Sequence, residues 1–185
     1  MLLIQATFKE VASRGEKVRV LLEPLTPANS SGPAWEPKFV HNSYIIGTHD
    51  GARATTNYRD WRFNTFVPKT YASYFEKWDL LSDDQLCLNR AYLSIFQLDI
   101  ETRSEREFLC LHCDPNEPDN EPHAIYKKGP HLHIVAALNP IPRAHIPLNM
   151  VHLQTILSSI ETLSEAIESA VVMLKEEILN RLLNI

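Results

Sequence analysis

The chain opens on two β-branched and aliphatic runs, Leu2 to Val11 and Lys17 to Leu25, on either side of Ser13-Arg14-Gly15. That pattern predicts two strands joined by a short turn. Phe39 to Gly47 predicts a third strand, reached through the Pro-, Ser- and Asn-rich loop from Thr26 to Pro37. Tyr71, Tyr74, Phe75 and Trp78 recur at helical spacing, so Lys69 to Asp79 predicts a short helix. Ser82-Asp83-Asp84-Gln85 has the form of a capping box and predicts a second short helix through Arg90. Tyr92 to Glu101 and Phe108 to Asp114 predict a hairpin about a charged turn. Ala124 to Ala137 predicts a further strand, and Pro140 to Pro147 a proline-punctuated crossing.

The chain beyond Asn149 reads as helix. Behind Asn149 as a candidate N-cap, Leu153, Ile156, Ile160, Leu163, Ile167, Val171, Leu174, Ile178 and Leu182 recur every three or four residues. One unbroken helix from Met150 to Leu183 would be about 50 Å long at ~1.5 Å per residue. It therefore either breaks near Ser158-Ser159 or overhangs the sheet. An overhanging apolar stripe would want a partner, a second copy of the chain or another protein; the alternative is that the stripe packs wholly on its own sheet. The expected architecture is α+β: a mainly antiparallel sheet with short helices and a long C-terminal helix packed on one face. Residues 1–149 form the sheet core with loop insertions, and residues 150–185 the amphipathic helix of the same domain.

Composition narrows the function classes. The net charge of -5 excludes a strongly basic nucleic-acid-binding domain as a description of the whole molecule. Five glycines occur, none in a GxGxxG or GxxxxGK[ST] pattern, which argues against a Gly-rich phosphate loop. There is no GxSxG, HExxH or EF-hand loop. Three cysteines without disulfide spacing favour a reducing compartment. No apolar run reaches the ~20 residues of a membrane span, and no signal segment is evident, so a soluble cytoplasmic protein without membrane association is expected.

Six of the eight histidines fall between His112 and His152. Strand alternation puts Leu132, Ile134 and Ala136 on a core face and His131 and His133 together on the other. In the preceding strand Leu109, Leu111 and Cys113 suit the core, leaving Cys110, His112 and Asp114 opposite. In its hairpin partner Phe96, Leu98 and Ile100 suit the core, leaving Gln97, Asp99 and Glu101 opposite; Phe108 breaks the pattern. Asp99, Glu101, His112, Asp114, His131 and His133 would then gather on one sheet face. Three readings fit such a cluster. It is a divalent metal site, with His131, His133 and His112 as ligands for zinc or manganese. It is an acid–base site, in which His131 and His133 act, His112 and Asp114 orient them, and Lys127 or Lys128 holds a phosphate. Or it is the solvated face of an antiparallel sheet.

Two other features bear on chemistry. Cys110-Leu111-His112-Cys113 is formally C-x-x-C, but on a strand its thiols point to opposite faces, which spoils joint chelation. Between Gly51 and Lys69, Arg53, Arg59, Arg62 and Lys69 interleave with Tyr58, Trp61, Phe63 and Phe66. Arg59, Trp61 and Arg62 are candidate contacts to single-stranded nucleic acid through phosphate pairing and base stacking; the alternative is a loop with its aromatics tucked into the core.

The segment from Phe108 to about Leu157 resembles the TumE-type toxins of bacterial toxin–antitoxin pairs. The resemblance rests on the strand Phe108 to Asp114, on His123, on Pro130-His131-Leu132-His133 and on the helix from Met150. The arginine–tyrosine pair beside the Asp in that family is replaced here by His112-Cys113. The resemblance implies a bacterial stress or defence protein, RNase-like and neutralised by a protein partner. Against this stands a non-catalytic adaptor that assembles through its C-terminal helix.

Overall fold

The computed structural model describes residues 4–49, 61–99, 102–113, 131–134, 144–147 and 159–183. Their architecture is α+β, with a mainly antiparallel sheet and a C-terminal helix. The strands are β1 (Gln5–Thr7), β2 (Ala34–Val40), β3 (Ser43–His49), β4 (Arg62–Asn64), β5 (Thr70–Ser82), β6 (Gln85–Leu98), β7 (Glu105–Cys113), β8 (His131–Ile134) and β9 (Ala144–Pro147). They pair antiparallel in the order β2-β3-β5-β6-β7-β8-β9, with β1 also on β6 and β4 also on β5. The helices are α1 (Phe8–Leu22) and α2 (Ile160–Met173), the latter running on through a π-helical stretch, Leu174–Leu179. None is long and apolar enough to cross a membrane, among the described residues.

Several expected elements change type. The first predicted hairpin is instead the helix α1. Thr7 and Glu10 cap each other reciprocally, and Val11, Arg14, Gly15, Val18 and Leu22 are buried at helical spacing. Gly15, read as a turn residue, sits in mid-helix because the Trp35 ring lies where a Cβ would stand. The predicted strand Phe39 to Gly47 is split into β2 and β3 by the turn His41-Asn42, with His41 at φ 54°.

The predicted helix at 69–79 is the long strand β5. Its alternate residues Thr70, Ala72, Tyr74 and Glu76 are buried on one side, and Ser73 and Phe75 on the other. A strand covered on both faces loses its alternation, and its aromatics fall at helical spacing by coincidence. The capping-box motif is the tight β5–β6 turn, with Ser82 paired to Gln85. At the C-terminal end Ser159 is extended (φ -154°, ψ 169°) and caps α2, so no single helix runs from Met150 to Leu183. Asn149 and residues 150–158 lie outside the described residues. The stripe residues Leu163, Ile167, Val171 and Leu174 are buried in the chain's own core.

That core lies between the helices and the sheet face carrying Ile46, Tyr74, Trp78, Leu93, Ile95, Leu109 and Leu111. A buried polar group ties its layers together. Arg14 of α1 donates through Nε to both Glu76 carboxylate oxygens, at 2.6 and 2.7 Å, and through a terminal nitrogen to Ser164 of α2 at 2.8 Å. Glu76, fully buried, also accepts from the Tyr74 hydroxyl and from the Trp78 indole N–H at 2.9 Å. Burial first, and then the neighbouring carboxylate, raise the Tyr74 phenol well above its ordinary pKa, so it stays a donor. Removing one partner would leave the other charge stranded. Arg14→Met is expected to cost about 3–5 kcal/mol, read by urea denaturation; a loss under about 1 kcal/mol, that of an exposed pair, would contradict this.

Candidate functional site

The second face of the sheet carries the histidines. Between β6 and β7 the register pairs Tyr92 with His112 and Ser94 with Cys110; between β7 and β8 it pairs His112 with His131 and Cys110 with His133. β9 then sets His145 against His133 and Pro147 against His131. Opposed residues of an antiparallel pair share a face, with Cα atoms about 4.5–5.5 Å apart. Two adjoining rows result: Tyr92, His112, His131, Pro147 and Ser94, Cys110, His133, His145. The expectation that His131 and His133 share a face with His112 matches this register.

The expected carboxylates do not join them. In β6 it is Leu93 and Ile95 that face the core, and the register shifts between Ile95 and Phe96, leaving Phe108 without a partner. That bulge on β7 explains why Phe108 broke the alternation, while the ordinary alternation of β6 from Leu93 and Ile95 turns Phe96 away from the core, opposite to the phase expected. Asp99 lies in the far turn of the hairpin, where it accepts from the Thr102 N–H at 3.0 Å. Glu101, Asp114, His123, Lys127, Lys128 and His152 lie outside the described residues.

Aromatic neighbours organise the row. The Tyr92 and His112 rings stack at 4.4 Å, and Phe75 meets Tyr92 edge-on at 5.1 Å. The Arg90 guanidinium lies 5.9 Å from the Tyr92 ring centre. Tyr92, Arg90 and His145 were missed by sequence reasoning. Arg90-x-Tyr92 holds the alternation that would have paired with His112, but the capping-box reading ended a helix on it. His145 was assigned to a crossing because of its flanking prolines.

This face is not simply solvated. Phe75, Ser94 and Cys110 are all buried. The Cys110 thiol meets the Ser94 hydroxyl at 3.0 Å, while Cys113 is buried on the opposite face, as the C-x-x-C alternation required. The three cysteines are free. Of the residues read as nucleic-acid contacts, Trp61 is 1% exposed with its ring over Gly47, which denies it to a base. Arg62 pairs with Glu105 and stacks on Phe96 at 4.1 Å. Arg59 lies outside the described residues. No three His, Cys, Asp or Glu side chains gather as a metal-holding group among the described residues; the side chains at 131, 133 and 145 are not among them.

No family model, curated protein or solved structure matches the chain.

Burial pushes the Cys110 thiol well above its ordinary pKa, more than the Ser94 hydrogen bond lowers it. The folded chain therefore keeps this proton while the unfolded chain releases it above about pH 8.5. The stabilisation is complete below the unfolded value and is lost as pH rises toward the folded one. Stability between pH 8 and 10 is expected to fall less steeply in Cys110→Ala than in the native chain, by urea unfolding across that range; identical slopes would contradict the shift.

Proposed function

We propose that the chain cleaves phosphodiester bonds, with RNA as its substrate class, on the histidine face of the sheet. One observation carries this reading above the others: the register that sets His112 against His131 and His133 against His145. Imidazole titrates near neutrality and both takes and gives protons there. Cleavage by the 2′-hydroxyl needs that pairing. One base removes the hydroxyl proton as the oxygen bonds to phosphorus; one acid protonates the 5′-oxygen as its bond to phosphorus breaks. The phosphate charge needs a cation, and Arg90, beside the Tyr92–His112 stack, supplies one.

His112 is the acid–base group best positioned by its surroundings. His131 and His133 serve the same reaction either as proton carriers or as metal ligands. The resemblance of residues 108–157 to TumE-type toxins supports the same substrate, and with it a bacterial cytoplasmic stress or defence protein restrained by a protein partner. The rival adaptor role would have to use the rest of that stripe, since Leu163, Ile167, Val171 and Leu174 lie in the chain's own core.

A His131→Ala, His133→Ala double variant tests the reading. Single-stranded RNA cleavage is expected to drop by about 10²–10⁴-fold, the usual worth of acid–base groups, with the far-UV circular dichroism unchanged. Cleavage at the native rate in that variant would overturn the reading.

A further inference from the structure

The arrangement of strands β7, β8 and β9 narrows the choice left open for His131 and His133. These two stand at i and i+2 of one strand, and each has one neighbour on either side. On the β7 side the neighbours are His112 and Cys110. Both are engaged toward β6 instead: the His112 ring stacks on Tyr92 at 4.4 Å, and the Cys110 sulfur sits 3.0 Å from the Ser94 hydroxyl. Cys110 is also 2% exposed. On the β9 side the neighbours are Pro147, which offers no ligand, and His145, directly opposite His133.

We propose that His131, His133 and His145 form a three-histidine site for a divalent transition metal, zinc foremost, with His112 beside it and outside the ligand set. A same-strand i, i+2 pair and a cross-strand third histidine place three histidine Cα atoms at the corners of a triangle with sides of about 5–8 Å. Three neutral imidazoles suit zinc, copper or nickel better than magnesium or calcium. Three protein ligands rather than four leave a position open, the pattern of catalytic rather than structural zinc. The site includes a histidine that the sequence pattern had placed in a crossing, and it omits one, His112, that the same pattern had placed among the ligands. The metal's part in catalysis rests on the phosphodiester reading; its binding does not.

The test is zinc binding to the full chain, stripped with chelator and titrated against a chromophoric competitor, with cobalt(II) as a spectroscopic stand-in. The native chain is expected to take one zinc, and cobalt(II) to give the intense visible bands of a four- or five-coordinate ion. His145→Ala and His133→Ala are each expected to weaken binding by more than about 100-fold, beyond the usual cost of an outer-shell partner. His112→Ala is expected to keep the site, within about the 10–100-fold range of such a partner. A native chain that takes no zinc or cobalt overturns the site, whatever the variants do. So does binding lost in His112→Ala and kept in His145→Ala. RNA cleavage undiminished by chelator in a chain that binds no metal removes the site and keeps the phosphodiester reading. Stoichiometric zinc with no cleavage of RNA keeps the site and removes that reading.

Discussion

Glu76 stands in the middle of the sheet's longest run of pairing, fully buried, with both carboxylate oxygens bonded to Arg14. A buried carboxylate of this kind can face only the side that holds its guanidinium, since the other side would strand both charges. That choice sets the phase of β5. With Glu76 turned to the helices, Phe75 must turn away, and register carries the same phase to Tyr92 on β6 and His112 on β7. The histidine face thus follows from an ion pair on the opposite side of the sheet. Ser164 extends the same pair to α2, so both helices are held over the face that the histidines do not use.

The two faces are chemically distinct because of this. The helix-covered face holds aliphatic and aromatic residues around the Arg14–Glu76 pair. The other holds a run of rings, Phe75, Tyr92 and His112, leading by register to His131. Rings packed in sequence lock one another's orientation, which a site built for proton transfer or metal binding requires. Ser94 and Cys110, in the adjoining row, are buried beside that run.

Legibility in the sequence followed how many faces of each element are covered. β7 alternates from Leu109 to Cys113, and its faces were readable from Leu109, Leu111 and Cys113 against Cys110 and His112. β5 is covered on both sides, so Tyr71, Tyr74, Phe75 and Trp78 carried no period-two signal and imitated a helix. α1 was hidden for the opposite reason: its β-branched content suggested strand, while the Thr7–Glu10 capping box and the buried 11, 14, 15, 18, 22 spacing are what form it. The bulge at Phe108 could not be foreseen beyond the misfit of that residue; Asp99 is kept from the histidines by lying past the end of β6, in the hairpin turn. The proline beside His145 belongs to an end strand of the sheet path, where a missing N–H is tolerated.

The account stands on the pairing of β7, β8 and β9, because a one-residue slip would send every histidine of a strand to the other face. Cross-strand backbone nuclear Overhauser contacts in the labelled full chain measure that pairing directly. The account predicts contacts joining His112 to His131 and His133 to His145. Contacts pairing His112 with Leu132 would contradict it, and with it the shared face on which the proposed chemistry depends.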